Sequence, residues 1–194
     1  FEHHRGCQTS QGRAKRNNRK CELGLRDAEF LSSLALLAGR TYPQDELYGA
    51  WKLVLLNQFH DILPGSSVAE VYEDAEKDYA KVRATIDRAR NMALSHLAGR
   101  VDTQGDGRPV VIFNSLGWSR TDVASMDMDH TASNLAVIDQ DGKPVPSQLV
   151  SKPDGGSALF FEAHDIPSLG HAVYRLTSAA AVGTNTAMKV TETR

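Results

Sequence analysis

The stretch from Ser67 to Leu97 limits what this chain can fold into more than any other part of it. Val68, Val71, Ala75, Val82, Ile86, Ala89, Ala93 and Leu97 recur mostly at steps of three and four, with Tyr72 and Tyr79 beside them. That spacing lines apolar groups along one stripe of an α-helix, close to a heptad seam, and no proline or glycine interrupts it. Ser67 followed by Glu70 predicts a capping box at its start. A long helix with one apolar face has to bury that face against other helices.

The partners precede it. Leu25, Phe30, Leu31, Leu34, Ala35 and Leu37 belong to a strongly helix-forming run that stops at "GRTYP", where Gly39 is a natural C-terminal signal and Pro43 prevents continuation. A second helix is predicted from about Gln44, with Leu47, Trp51, Val54 and Leu55 on its buried face and Pro64 and Gly65 ending it. Three helices with short connections predict an antiparallel three-helix bundle.

Near residue 100 the period changes to two. "PVVIFNS", "LAVID", "VPSQLV", "ALFFEAHDIP" and "HAVYRL" are short, β-rich and separated by turn signals such as "DGK" and "PDGG". They predict an antiparallel β-sandwich-like part, and "TSAAAVGTNTAMKVTETR" reads as a linker leading into another strand. The expected fold is therefore α+β with two segregated parts: a connector over 1–18, the bundle over 19–100 and the β part over 101–194. The start at Phe1, inside a dense polar stretch, reads as a piece cut from something longer.

A net charge of −2 and 41% hydrophobic residues give no sign of a nucleic-acid partner, and no apolar run approaches the roughly 20 residues of a membrane helix. Cys7 and Cys21 are too few for a disulfide scaffold and read as free thiols of a cytoplasmic protein.

Chemistry is concentrated in "LLNQFHDILPGSS". His60 and Asp61 stand where the second helix ends at a forced turn. The plainer reading is a cap, an imidazole beside the last carbonyls and favoured by the helix dipole. The alternative is that the rigid corner aims both groups into a cleft, where a neutral imidazole can ligate zinc and a carboxylate can ligate or accept hydrogen bonds. Two groups alone do not make a metal site.

"WKLVLLNQFHDILPGSSVAEVYEDA" resembles the helical middle domain of the glycoside hydrolase family 38 α-mannosidases. "HRGCQTSQGRAKRNNRKCE" is similar to the family's segment joining the catalytic domain to the bundle, and "VIFNSLGWSR" and "FEAHDIPSLGHAVYRL" to the first strands of its C-terminal β region. The resemblance implies a zinc-dependent retaining exo-α-mannosidase acting on mannose-containing glycans. Its catalytic α/β barrel lies N-terminal to the bundle and carries the nucleophile, the acid/base and most metal ligands. The bundle adds one zinc ligand, which maps to His60, while Asp61 is implied to contact sugar hydroxyls and His4 and Arg5 to lie near the substrate. No barrel is found in this sequence, so the segment is expected to be inactive by itself. The competing readings are a non-catalytic carbohydrate-binding or scaffold module, in which the His-Asp pair is only a cap, and part of a mannosylglycerate hydrolase.

The remaining candidates are weaker. His3 and His4 are adjacent on the chain and point in different directions if extended. The basic run Arg13, Lys15, Arg16, Arg19 and Lys20 fits a domain contact or simple solvation better than phosphate binding. Trp51 reads as core, Trp118 as core or sugar platform, and His96, His130, His164 and His171 have no assignable partners.

Overall fold

The computed structural model describes residues 6–128, 135–153 and 155–178 and divides into two compact units, Phe1–Val101 and Asp102–Arg194. Among the described residues the first unit holds three helices, α1 (Gly12–Leu37), α2 (Gln44–Asn57) and α3 (Ala69–Ala98). The described residues of the second hold seven strands: β1 (Arg108–Phe113), β2 (Arg120–Met128), β3 (Ala136–Ile138), β4 (Pro144–Val145), β5 (Ser147–Ser151), β6 (Ser157–Ile166) and β7 (His171–Thr177).

The bundle core is a single cluster built from Cys21, Leu25 and Ala28 of α1, Leu47, Ala50 and Val54 of α2, and Ala75, Tyr79, Val82, Ile86 and Ala89 of α3. The stripe predicted on α3 is the buried one, although it starts later: Val68 is 66% exposed and burial begins at Ala75. Gly24 on α1 lets α3 approach closely. A Cβ added at Gly24 would stand 2.9 Å from the Cδ1 of Ile86. Gly39, with φ +92°, turns the chain after α1 in the left-handed conformation that favours glycine.

Five expectations about the helices need correction, the first being that α2 runs on to Pro64, since it ends at Asn57. α1 begins at Gly12, so residues 12–18 are helix rather than connector; Ala14, Asn17 and Asn18 are already buried there. The capping box does not form. Val68 is the N-cap and makes no side-chain cap bond; Ser67 lies one residue before it, and its hydroxyl is turned back to donate to the Asp61 carbonyl at 2.6 Å. On α2 the buried line is Leu47, Ala50, Val54 and Asn57, while Leu55 is 59% exposed. Eight residues past Leu47, Leu55 has rotated about 80° away from that line. Trp51 packs on the margin of the core and donates its indole N–H to Glu29 at 2.9 Å.

The β unit is a two-sheet antiparallel arrangement, one sheet ordered β1-β7-β3-β4 and the other β2-β6-β5. Between them lie Val137, Val145, Leu159, Phe161, Ala163, Ile166, Ala172, Tyr174 and Leu176. Strand β2 has no counterpart among the strands expected from sequence. Its inward positions are Ala124, Met126 and Met128, alternating with outward Ser and Asp. The period of two is present, but carried by weak β-formers. Asn114 explains the polar residue closing "VIFNS": buried, it donates its side-chain amide to the carbonyls of Trp118, Ile166 and Pro167 and accepts from the Leu116 N–H. The terminal stretch expected to lead into a further strand lies, from residue 179 on, outside the described residues.

Candidate functional site

Helix α2 ends at Asn57, two residues before Phe59, and His60 and Asp61 stand in the turn beyond it. The pair is therefore not a cap of that helix, whose closing backbone bonds are made by Gln58. The turn is tightly built. The N–H groups of Ile62 and Leu63 both donate to the Phe59 carbonyl at 2.9 and 3.1 Å, and Gly65 donates to Ile62 at 3.2 Å. From the other side the Asp61 carbonyl receives the hydroxyls of Ser67 and Tyr72 at 2.6 and 3.3 Å. The Tyr72 hydroxyl in turn accepts from the Ser67 N–H at 3.0 Å.

The backbone is thus held, and the two side chains are left outside. The His60 imidazole and the Asp61 carboxylate have 76% and 55% of their surface exposed, and Nε2 lies 3.3 Å from Oδ2. A contact this long and this wet contributes about 0–1 kcal/mol and yields readily to another partner. Among the described residues Asp61 Oδ1 has only a long 3.4 Å contact from Ser66. The His60 ring leans on Phe59, with centroids 4.2 Å apart.

A third segment underlies the turn. Lys15, in the first turn of α1, donates to the carbonyls of Ser10, Leu63 and Pro64 at 2.6, 2.9 and 3.2 Å. The Ser10 hydroxyl donates to Pro64 at 2.7 Å. Gly65 sits so close that an added Cβ would meet Ser10 Oγ at 2.3 Å. A cleft of about 570 Å³ opens between the first turns of α1 and α3, lined by Gln11, Arg13, Tyr72, Glu73, Glu76 and Tyr79; Tyr72 is the residue it shares with the His-Asp turn.

As metal donors, the pair supplies one imidazole nitrogen and one carboxylate. Among the described residues no group of three His, Cys, Asp or Glu side chains converges on a point. The turn fits the contribution of a ligand to a site completed by other groups, since a zinc site needs about three or four.

The profile of the alpha mannosidase middle domain matches residues 2–97, with the His-Asp turn inside the match. The chain belongs to the α-mannosidase family. Mouse alpha-mannosidase 2C1 is 39% identical over 141 residues, which are 71% of this chain and 13% of the mouse protein. Alpha-mannosidase G of Dictyostelium discoideum is 40% identical over 99 residues, 51% of this chain and 9% of that protein. The crystal structure of a glycosyl hydrolase family 38 protein from Enterococcus faecalis shares the fold, with a TM-score of 0.78 at 20% identity over 94% of this chain and 26% of that one. The chain thus spans about an eighth of the mouse relative.

Within this α-mannosidase segment the other sequence candidates separate. His4 and Arg5 lie outside the described residues, as do His3 and His130. Trp118 is 63% exposed. His96 takes a structural place, its Nε2 3.1 Å from the Ala38 carbonyl past the end of α1. His164 lies 3.5 Å from Glu162, and His171 leans on Phe113 with ring centroids 5.7 Å apart. Of the basic run, Arg19 pairs with Glu22 at 3.1 Å and Lys15 holds the turn. Sequence reasoning missed Ser10, Lys15, Ser67 and Tyr72 as partners of the turn. Only Lys15 left a trace: a cation in the first turn of a helix stands against the dipole, and needs another reason to be there.

Proposed function

We propose that this chain is the middle part of a zinc-dependent, retaining exo-α-mannosidase of the cytoplasm, which removes terminal α-linked mannose from glycans. A catalytic barrel N-terminal to the bundle completes the active site. The observation that carries the proposal is the His-Asp turn itself, a backbone fixed from three segments that presents an imidazole and a carboxylate outward, inside an α-mannosidase middle domain. A buried, fully paired histidine would not suit this task.

The surface beside the turn is suited to docking. Tyr48, Leu55, Leu56 and Phe59 are each more than half exposed and follow one another along the outer side of α2, down to His60. Lys52 lies among them with its Nζ 4.2 Å from the centre of the Tyr48 ring. A contiguous apolar stripe of this kind marks an interaction surface, and here it would set the bundle against the barrel with His60 at its end. No helix among the described residues is long and apolar enough to cross a membrane.

In this reading the barrel supplies the two carboxylates that retaining glycosidases hold about 5–5.5 Å apart, one to attack the anomeric carbon and one to protonate the leaving oxygen. A bound zinc supplies a Lewis acid and a template for vicinal sugar hydroxyls. His60 holds the ion through an imidazole nitrogen. Asp61 accepts hydrogen bonds from the hydroxyls of the terminal mannose, and its loosely engaged Oδ1 lets the carboxylate turn towards them without disturbing the backbone. Fixing those hydroxyls before reaction is where the bundle lowers the barrier.

The test is substitution in the full-length enzyme. His60→Ala should lose stoichiometric zinc and turnover of p-nitrophenyl α-mannoside by at least about 100-fold, as expected for a missing ligand. Circular dichroism should stay unchanged, because the imidazole leans on two exposed side chains, Phe59 and Asp61, and supports no part of the core. Asp61→Asn should keep the metal and lose rate. Stoichiometric zinc and normal turnover in His60→Ala would refute the proposal.

A further inference from the structure

Lys15 has no place in the proposed chemistry, yet its charged head is fully engaged. An ammonium has three N–H donors, and each finds a carbonyl: Ser10 at 2.6 Å, Leu63 at 2.9 Å and Pro64 at 3.2 Å. It does this from the first turn of α1, where the helix dipole disfavours a positive charge and no acidic residue offsets it. What holds it there is the set of carbonyl oxygens at the end of the His-Asp turn.

We propose that Lys15 is a positioning residue for the metal-ligating turn, fixing the direction in which His60 and Asp61 point. The coupling is short. Lys15 holds the Leu63 carbonyl; the Leu63 N–H donates to the Phe59 carbonyl at 3.1 Å; and that carbonyl belongs to the peptide whose nitrogen is His60's own. The same ammonium grips Ser10, whose hydroxyl returns to Pro64 at 2.7 Å, so the turn and the segment entering α1 are tied at two points. Gly65 seals the joint, because its neighbour Ser10 leaves no space for a side chain. Without the clamp, the turn keeps its hydrogen bonds to Ser67, Tyr72 and Ser10, and Gln58 keeps its bond to Glu22 of α1, but the carbonyls at the far end of the turn lose their direct tie to α1. It would then sample orientations in which the imidazole is misdirected, and a ligand that must be re-oriented on binding weakens metal affinity.

This rests on the proposed role of His60, and the experiment separates the two. Lys15→Met, which keeps the aliphatic stem and removes all three donors, and Lys15→Gln are made in the full-length enzyme beside His60→Ala. The zinc dissociation constant is measured by chelator competition, the fold by circular dichroism and melting, and kcat at saturating zinc. Lys15→Met should raise the zinc dissociation constant about tenfold, the low end for removing a group that supports a metal ligand. Its kcat at saturating zinc should stay within about threefold of the parent, because every donor and acceptor at the reacting groups remains. Lys15→Gln should fall between the parent and Lys15→Met, and carries the test if Lys15→Met does not fold. A lower melting temperature with an unchanged zinc constant would make Lys15 a stability element only, and would overturn the inference. If His60→Ala also leaves zinc binding intact, the metal reading itself has failed.

Discussion

Gly65→Ala is the substitution that most directly tests how the turn is held. Gly65 has φ +98°, and an alanine there would place its Cβ 2.3 Å from Ser10 Oγ and 3.0 Å from Ser10 Cβ. Two costs add. A residue with a Cβ forced to positive φ costs about 1–2 kcal/mol. The Ser10 hydroxyl must also swing away from Pro64, losing a 2.7 Å hydrogen bond of about 0.5–1.5 kcal/mol. The sum is about 2–3 kcal/mol, or roughly 10–20 °C in the melting temperature of a helical unit of this size. The assay is thermal melting followed by far-UV circular dichroism, with Ser10→Gly as a second background. Removing Ser10 relieves the collision and leaves the backbone strain, so there Gly65→Ala should cost only that strain, about 1–2 kcal/mol, a departure from additivity. A Gly65→Ala protein melting within about 2 °C of the parent would refute this account of the turn.

How far the sequence revealed this arrangement follows from where the information resides. The seam of α3 was legible because burial along a long helix repeats the same choice many times, and Ala75, Tyr79, Val82, Ile86, Ala89 and Ala93 make it consistently. The two-part α+β division was legible for the same reason: a period of 3.6 gives way to a period of two. Leu55 was misplaced because α2 is short, and a few degrees of error per residue decide which side its last leucine takes. Strand β2 was hidden because Ala124, Met126 and Met128 carry the alternation without β-branched or aromatic side chains. The capping box failed for a different reason. Ser67 has the right spacing to Glu70, but α3 starts one residue later, with Val68 as N-cap, and the Ser67 hydroxyl is turned back to the Asp61 carbonyl six residues away. Where the helix starts and where that hydroxyl points are set by the path of the turn, which no local pattern encodes. The same holds for Lys15, whose acceptors Leu63 and Pro64 lie nearly fifty residues away. His60 and Asp61 stood out as a pair, but that they face outward from a braced backbone, rather than cap α2, is a property of the fold.

Three further outcomes follow from the same geometry. Gly49→Ala, inside α2 where an added Cβ meets nothing within 4 Å, should stabilise the bundle by about 0.5–1 kcal/mol in denaturant titration, and a loss would contradict the helix interior assigned there. The 194-residue chain alone should show no stoichiometric zinc site of submicromolar affinity in calorimetric titration, because among the described residues His60 and Asp61 have no third donor beside them. The last outcome concerns alkali. Tyr79 is 1% exposed, and burial first, then the neighbouring Cys21, Glu22 and Glu76, push its phenol up to about 12 from an ordinary 10.0. Burial likewise pushes the Cys21 thiol up. A raised folded value means that the native state keeps its proton while the unfolded chain gives it up, so this contribution is full below pH ~10 and is lost as the pH rises towards ~12. The slope is about 1.4 kcal/mol per pH unit for one proton, and about 2–3 kcal/mol across the window. Tyr79→Phe removes the titrating group and sacrifices only a 3.5 Å contact to Asn18, so its stability should fall less steeply across that window than the parent's. Equal slopes in denaturant titrations between pH ~9 and ~12 would mean that Tyr79 ionises without unfolding the bundle, and that its hydroxyl is not sealed between α1 and α3.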